Sequence, residues 1–339
     1  MRSSTSSSSS IRHWGVACFF CALVAVAVCV GTELHWRSLG YESGIIDSKL
    51  LWAEQRDQVD ARGSRTPLVI LGASRIEFSV DMDVLEDALP GYRPVMLAIN
   101  GHYPLAVLRD LAEDEDFNGV VLCDIDARGL SAHYFDMQQP YVDYHRKQWT
   151  PSWRVHRRAL DLWQSTAVIA NPDFGLLPTL LRWSGGRADP WKSHIRFHRD
   201  RSADIDFQRV DTAAATQAFV DGFKRRLQSD PPPSPEQWLA GLAEVGKWVA
   251  QIKGRGGEVV FYDTPTSGKL REYADEAFPP SLYWDRLSAT IHAPALRYTE
   301  ISALENIPLA DGSHLDFRNK HEYTHALIDA LVDRGWVQR

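Results

Sequence analysis

Two short polar segments, far apart in the chain, carry residue types that can do acyl-transfer chemistry. The first, Gly72-Ala73-Ser74-Arg75, follows directly on the apolar run 67–71. A serine at a strand-to-helix turn can present its hydroxyl as a nucleophile, although serine also caps helices at such places for structural reasons alone. The second, Asp311-Gly312-Ser313-His314, stands just before the last helical pattern. An aspartate three residues ahead of a histidine can turn back and accept its Nδ1–H, which fixes the tautomer and leaves Nε2 free to take a proton from a serine. A polar loop with an incidental histidine is the plainer alternative. A third string, His321-Glu322-Tyr323-Thr324-His325, matches the zinc-peptidase pattern H-E-x-x-H, in which both histidines share a helix face. Its extended form needs a third histidine where Leu331 stands, and Asp329 is the only nearby acid on that face, so a solvated helix face is the better reading.

The elements between these segments place them. Residues 67–71 are a short, β-branched apolar run ending at Gly72, as a strand buried on both faces would be. Val84, Leu85 and Leu89 mark a helix closed by Pro90 and Gly91. A second strand is expected over 94–99, ending at Asn100-Gly101, and a helix from Pro104 to about Ala112. A third strand over 120–125 opens into Asp124, Asp126 and Arg128. After a break, a long helix over about 235–253, a fourth strand over 258–262, short helices over 270–277 and 283–290, and a brief strand near 296–298 follow. The last helix runs over about 318–333. Strands alternating with helices at this spacing predict a parallel, doubly wound sheet, and ligands of such sheets bind beyond the carboxyl ends of the strands, where Ser74 falls.

Taken together, an early Gly-x-Ser, a terminal Asp-x-x-His and a parallel sheet between them resemble the SGNH hydrolase family. The resemblance covers about residues 66–335. It implies a three-layer, flavodoxin-like α/β fold and acyl-serine chemistry. In that scheme Ser74 is the nucleophile, His314 the acid-base and Asp311 its orienting partner, with the N–H groups of Ser74 and Gly101, in the Asn100-Gly101 block, holding the oxyanion. No metal or organic cofactor is implied. The chain departs from the family where the next block normally ends in Gly-x-Asn: here stands Cys123-Asp124-Ile125-Asp126-Ala127-Arg128. An ionised aspartate cannot donate to an oxyanion. Arg75 or Arg128 therefore substitutes, with Asp126 in support, or the hole is weaker, and a catalytically silent scaffold or glycan-binding protein is the alternative. The nearest look-alikes are single-anchor periplasmic proteins of surface-polysaccharide assembly and O-acylation. The segment Asp263-Thr264-Pro265-Thr266-Ser267-Gly268 ahead of Tyr283-Trp284 adds to that likeness, which implies an ester or glycan substrate and envelope polysaccharide machinery as partner.

Composition sets the surroundings. With 37 Lys and Arg against 44 Asp and Glu, the net charge of -7 argues against general nucleic-acid binding. Residues 1–13 read as a disordered Ser-rich leader with Arg2 and Arg12. Residues 14–32 read as a signal anchor of about the minimum spanning length, and 33–65 as a juxtamembrane helix and linker. Positive charge ahead of the apolar run favours an N-in orientation, which places the α/β domain (66–339) on the periplasmic side of the inner membrane. A cleaved signal peptide is the competing reading, but no small-x-small site follows the run. Of the 4 cysteines, Cys18, Cys21 and Cys29 lie inside that run, so no disulfide framework is expected. Finally, residues 141–207 read as a helical cap rich in Arg and Trp (Trp149, Trp153, Trp163, Trp183, Trp191). Such residues suit stacking on sugar rings, or plain core packing, and a basic face near the anchor suits anionic lipid.

Overall fold

A computed structural model describes residues 8–61, 63–186, 188–190 and 192–339. Along the chain come α1 (Ser8–Ser38), α2 (Lys49–Val59), β1 (Thr66–Leu71), α3 (Ser74–Ser79), α4 (Met82–Ala88), β2 (Tyr92–Met96), α5 (Leu105–Glu113) and β3 (Val120–Asp124). Then follow α6 (Gln139–Gln148), α7 (Pro151–Thr166), α8 (Leu176–Trp183), β4 (Ile195–Phe197), β5 (Ala203–Ile205) and α9 (Thr212–Ser229). The chain closes with α10 (Pro235–Gly254), β6 (Glu258–Asp263), α11 (Gly268–Ala277), α12 (Leu287–Ile291), β7 (Ala295–Arg297) and α13 (Lys320–Asp333). Two compact units result: Met1–Ile46 with Arg158–Ser193, and Asp47–Arg157 with His194–Arg339.

The larger unit is a three-layer α/β structure. Its five-stranded sheet has the order β2-β1-β3-β6-β7, and every pairing is parallel. Alternate residues of each strand feed opposite layers, which is why the central segments Leu68–Leu71, Val121–Cys123 and Val259–Tyr262 are buried on both faces. Val69, Leu71, Val121 and Phe261 pack with α5 and α10 through Leu108, Leu111, Leu242 and Val249. Leu68, Ile70, Leu122 and Val260 pack the other way, with Ile76, Leu85, Leu327 and Ile328. The long α10 starts on a capping box, Ser234 with Gln237, and carries Pro235 in its first turn.

Several boundaries differ from the sequence expectation, among them the second strand, expected over 94–99 and found at Tyr92–Met96. The helix expected as an anchor over 14–32 extends to Ser38, because nothing before Gly40 breaks it. It also reaches back to Ser8, so only residues 1–7 of the leader, Arg2 among them, lie outside the described residues. Residues 49–59, expected within a juxtamembrane helix and linker, form α2 and belong to the larger unit: Trp52 is fully buried and donates its indole N–H to the Leu97 carbonyl at 3.1 Å.

The insertion over 141–207 is only partly helical, since Ile195–Phe197 and Ala203–Ile205 pair as an antiparallel hairpin. It is also divided, with 158–193 clustering with α1 and the rest with the sheet. Trp149 is buried and bonds Asp57 at 2.8 Å, so it is core; Trp153, Trp163 and Trp183 are exposed, and Trp191 lies outside the described residues.

In the smaller unit, α1 holds the one helix among the described residues that is long and apolar enough to cross a membrane, over His13–Ser38. Cys18, Cys21 and Cys29 are exposed along it, whereas Cys123 is buried in β3.

Candidate active site

At the carboxyl end of β1 the chain turns through Gly72 and Ala73 into α3. A side chain at Gly72 is excluded, because a Cβ there would stand 2.5 Å from Ile76 Cγ2 and 2.9 Å from Asp124 Cβ. That close approach seats Ser74 as the first residue of α3, over the sheet edge. Its Oγ lies 2.9 Å from His314 Nε2. On the other side of the ring, His314 Nδ1 is 2.9 Å from Asp311 Oδ2. Asp311 Oδ1 accepts the backbone N–H groups of Ser313 and His314 at 2.9 and 2.7 Å, so the turn that carries the carboxylate also locks it. Burial alone would raise the Asp311 carboxyl. The hydrogen bond and charge of His314, with these two N–H donors, outweigh burial and hold it below its ordinary value. Asp311 and His314 are both buried, and the ring of His314 sits between Phe78 and Phe219, at centroid distances of 5.8 and 5.2 Å.

Asn100 and Gly101 follow β2 and line the same cavity as Ser74 and His314, of about 560 Å³. Gly101 has φ +74, a left-handed conformation that costs other residues about 1–2 kcal/mol. Asp126 occupies the third-block position. Its Oδ1 accepts the Gly129 N–H at 2.9 Å, and its Oδ2 pairs with Arg75 Nη2 at 2.9 Å. Arg75 is also 3.9 Å from Asp263, which Arg297 meets at 3.2 Å. Arg128 turns instead to the Tyr134 hydroxyl, at 2.8 Å from Nε, and to Asp230 at 3.4 Å; its buried Nη1 has no hydrogen-bond partner among the described residues. So both candidate substitutes for the absent asparagine line the cavity, and both are held by carboxylates. Burial raises the carboxyls of Asp124 and Asp263 to about 6, with Arg75 opposing in each case.

Sequence reasoning passed over three further contributors. Gln138 is fully buried and donates through Nε2 to the carbonyls of Gly72 and His102, each at 3.0 Å. One amide thus ties the serine turn to the loop carrying Gly101. Arg201, fully buried at φ 68, grips Asp47 at 2.9 and 3.0 Å, Glu77 at 3.1 Å and the Ala98 carbonyl at 2.6 Å. Helix α9 brings Phe219 and Phe223 to the cavity wall. None of the three has a local signature, because each acts through partners tens to more than a hundred residues away.

Replacing Gln138 with leucine removes the amide donor from the His102 carbonyl and leaves the Gly72 carbonyl with the Ile99 N–H alone, at a cost of about 1–3 kcal/mol if no water enters. The expected result is a fall in kcat larger than any change in KM, with partial recovery in Gln138→Asn. Equal losses in kcat and thermal stability, with no recovery, would reduce Gln138 to an ordinary core residue.

The H-E-x-x-H string lies on α13 with His321, Glu322 and His325 exposed and the two imidazoles 4.6 Å apart. No group of three or more metal-ligating side chains occurs among the described residues.

No known family's sequence model matches this chain, and no curated protein matches it by sequence. Among solved structures, one described as the crystal structure of TesA is similar over 78% of this chain and 98% of its own, at 13% identity and a TM-score of 0.36. So loose a likeness decides nothing about chemistry, and the hydrogen-bonded set of Ser74, His314 and Asp311 carries the functional reading.

Proposed function

We propose that this protein is an SGNH-type ester hydrolase or O-acyltransferase, tethered to the inner membrane with its α/β unit on the periplasmic side. The observation that carries this reading is the unbroken relay from Asp311 through His314 to Ser74, with both links at 2.9 Å. Ser74 Oγ attacks the ester carbonyl carbon while His314 Nε2 takes its proton. The negative charge collects on the carbonyl oxygen, held by the N–H groups of Ser74 and Gly101. A preorganised donor of this kind is worth about 3 kcal/mol of barrier. His314 then returns the proton to the departing alcohol, leaving an acyl-serine. Water completes hydrolysis, and a second hydroxyl, such as one on an envelope glycan, completes transfer. Arg128 Nη1, buried on the cavity wall without a partner, suits a polar group of the substrate.

The cavity also favours an apolar acyl group. Phe78, Phe207, Phe219, Phe223, Leu270 and Phe278 line it, together with Arg75, Arg271 and Arg297. On aryl esters, kcat/KM is expected to rise by up to about fourfold per added methylene until the chamber fills, since burying a CH₂ is worth about 0.8 kcal/mol. Ala274→Trp, placed on α11 at the wall, should cut turnover of octanoate far more than of acetate. A flat chain-length profile would remove the acyl-chamber assignment.

The second reading, a silent glycan-binding or scaffold protein of a polysaccharide system, is favoured by Asp126 standing where the family has its asparagine. A fluorophosphonate probe separates the two: labelling of the wild type that is lost in Ser74→Ala supports the enzyme, and a folded wild type that takes no label supports the scaffold.

A further inference from the structure

The smaller unit carries an apolar surface that nothing in acyl-serine chemistry uses. On α8, Leu176, Leu177, Leu180 and Leu181 recur at i, i+1, i+4 and i+5, and each is between 39% and 67% exposed. Leu162 and Trp163, at the end of α7, are exposed as well. Apolar side chains so concentrated on one short stretch are uncommon on a surface facing water.

This surface is fixed to the C-terminal end of α1. The Trp36 indole N–H donates to Thr179 Oγ1 at 2.9 Å, both groups being buried, and Trp36 packs with Val168 and Phe174. Glu33 accepts the N–H groups of Val168 and Ile169, each at 3.0 Å, and the Trp183 ring meets the His35 ring edge-on at 5.2 Å. Twenty residues of helix cover the roughly 30 Å of a bilayer's hydrocarbon. A span that starts at Trp14 therefore reaches the far interface near Glu33, His35 and Arg37. The residues that hold α8 are those at that depth. Arg182, over the Trp36 ring at 5.5 Å, supplies a cation at the same level, as the headgroup zone favours.

We infer that residues 158–183 form a monotopic platform that lies in the headgroup–acyl boundary beside the anchor. The Leu176–Leu181 stripe and Leu162-Trp163 enter the lipid, so the chain holds its membrane by a span and an interfacial helix together. The inference rests on reading α1 as a membrane span and is independent of the chemistry at Ser74.

The test uses the full chain in phosphatidylethanolamine–phosphatidylglycerol vesicles, with Cys18, Cys21 and Cys29 replaced by alanine and a nitroxide at one introduced cysteine. The positions are Leu177→Cys, Leu181→Cys, Val26→Cys in the anchor and Glu115→Cys as an exposed polar reference. Accessibility to oxygen relative to a water-soluble nickel chelate is the readout. The expected result is a ratio at 177 and 181 several-fold above that at 115, approaching that at 26. Ratios at 177 and 181 equal to that at 115 overturn the platform. So does protection from both reagents with spin–spin broadening, which places a second copy on the surface. A low ratio at 26 overturns the membrane span itself, and so separates that failure from the other two.

Discussion

Ser74→Ala is expected to lower kcat/KM on an activated ester by about 10⁴-fold or more and to abolish fluorophosphonate labelling, while the fold stays intact. The side chain bonds His314 Nε2, and its backbone places it at the start of α3, a position alanine occupies without strain. His314→Ala should cost as much, and the double variant scarcely more, because the two act as one unit. Asp311→Asn discriminates more finely. Its amide oxygen could still accept from Ser313 and His314 N–H, but the nitrogen that replaces Oδ2 is a donor facing Nδ1. That favours the tautomer with its proton on Nε2, which cannot accept from serine. A loss of about 10⁴-fold in kcat with labelling slowed to match is the expected outcome. Retention of full turnover in any of the three variants would move the nucleophile or the base elsewhere.

The largest effect on stability is expected at Arg201. Its guanidinium joins Asp47, ahead of α2, to Glu77 on α3, which begins at Ser74, and to the Ala98 carbonyl, two residues before Asn100. Arg201→Ala strands the buried Glu77 carboxyl, at a cost of about 3–5 kcal/mol for breaking one side of a buried pair. Burial raises the Glu77 carboxyl to about 8, with Arg201 opposing the rise and Asp47 adding to it. A carboxyl raised in the folded state contributes stability that is fully present below its ordinary value and lost as pH climbs through about 8. Without Arg201 the folded-state value rises further. The deficit of the variant should therefore be smaller at pH 6 than at pH 9, read by denaturant melts at both. A deficit below about 1 kcal/mol, or one unchanged with pH, would mean that the cluster relaxes around the lost cation. Because the same guanidinium holds both α3 and the approach to the Asn100–Gly101 loop, kcat should fall in parallel even where the variant stays folded.

Much of this molecule is written locally. The three central strands, β1, β3 and β6, are built on short apolar runs, so their two-sided burial, and with it the parallel α/β class, follows from composition over a few residues at a time. The Asp311–His314 turn is likewise local, since an aspartate three residues from a histidine needs no distant help to close its hydrogen bonds. Even the pairing of Ser74 with His314, 240 residues apart, could be anticipated, because a parallel sheet delivers every strand's carboxyl end to one edge.

What the sequence could not fix are relations whose partners share no local pattern. Gln138 reads as an ordinary polar residue before a helix, yet its amide joins two loops of the site. Arg201 reads as one more cation in a basic insert, and only the folded chain surrounds it with Asp47 and Glu77. Arg75 and Arg128 looked equally able to replace the absent asparagine. Tertiary placement gave each its own carboxylate and left only Arg128 with a buried donor unpaired. The boundary of the smaller unit shows the same limit. Part of the expected juxtamembrane helix and linker joined the larger unit as α2 because Trp52 found a carbonyl across the core, while the Trp-rich insert divided because Trp36 and Glu33 captured part of it. Periodicity and turn residues determine elements and their class, since those depend on neighbours in sequence. Ion pairs, buried amides and exposed apolar faces depend on neighbours in space, and only the tertiary structure decided them.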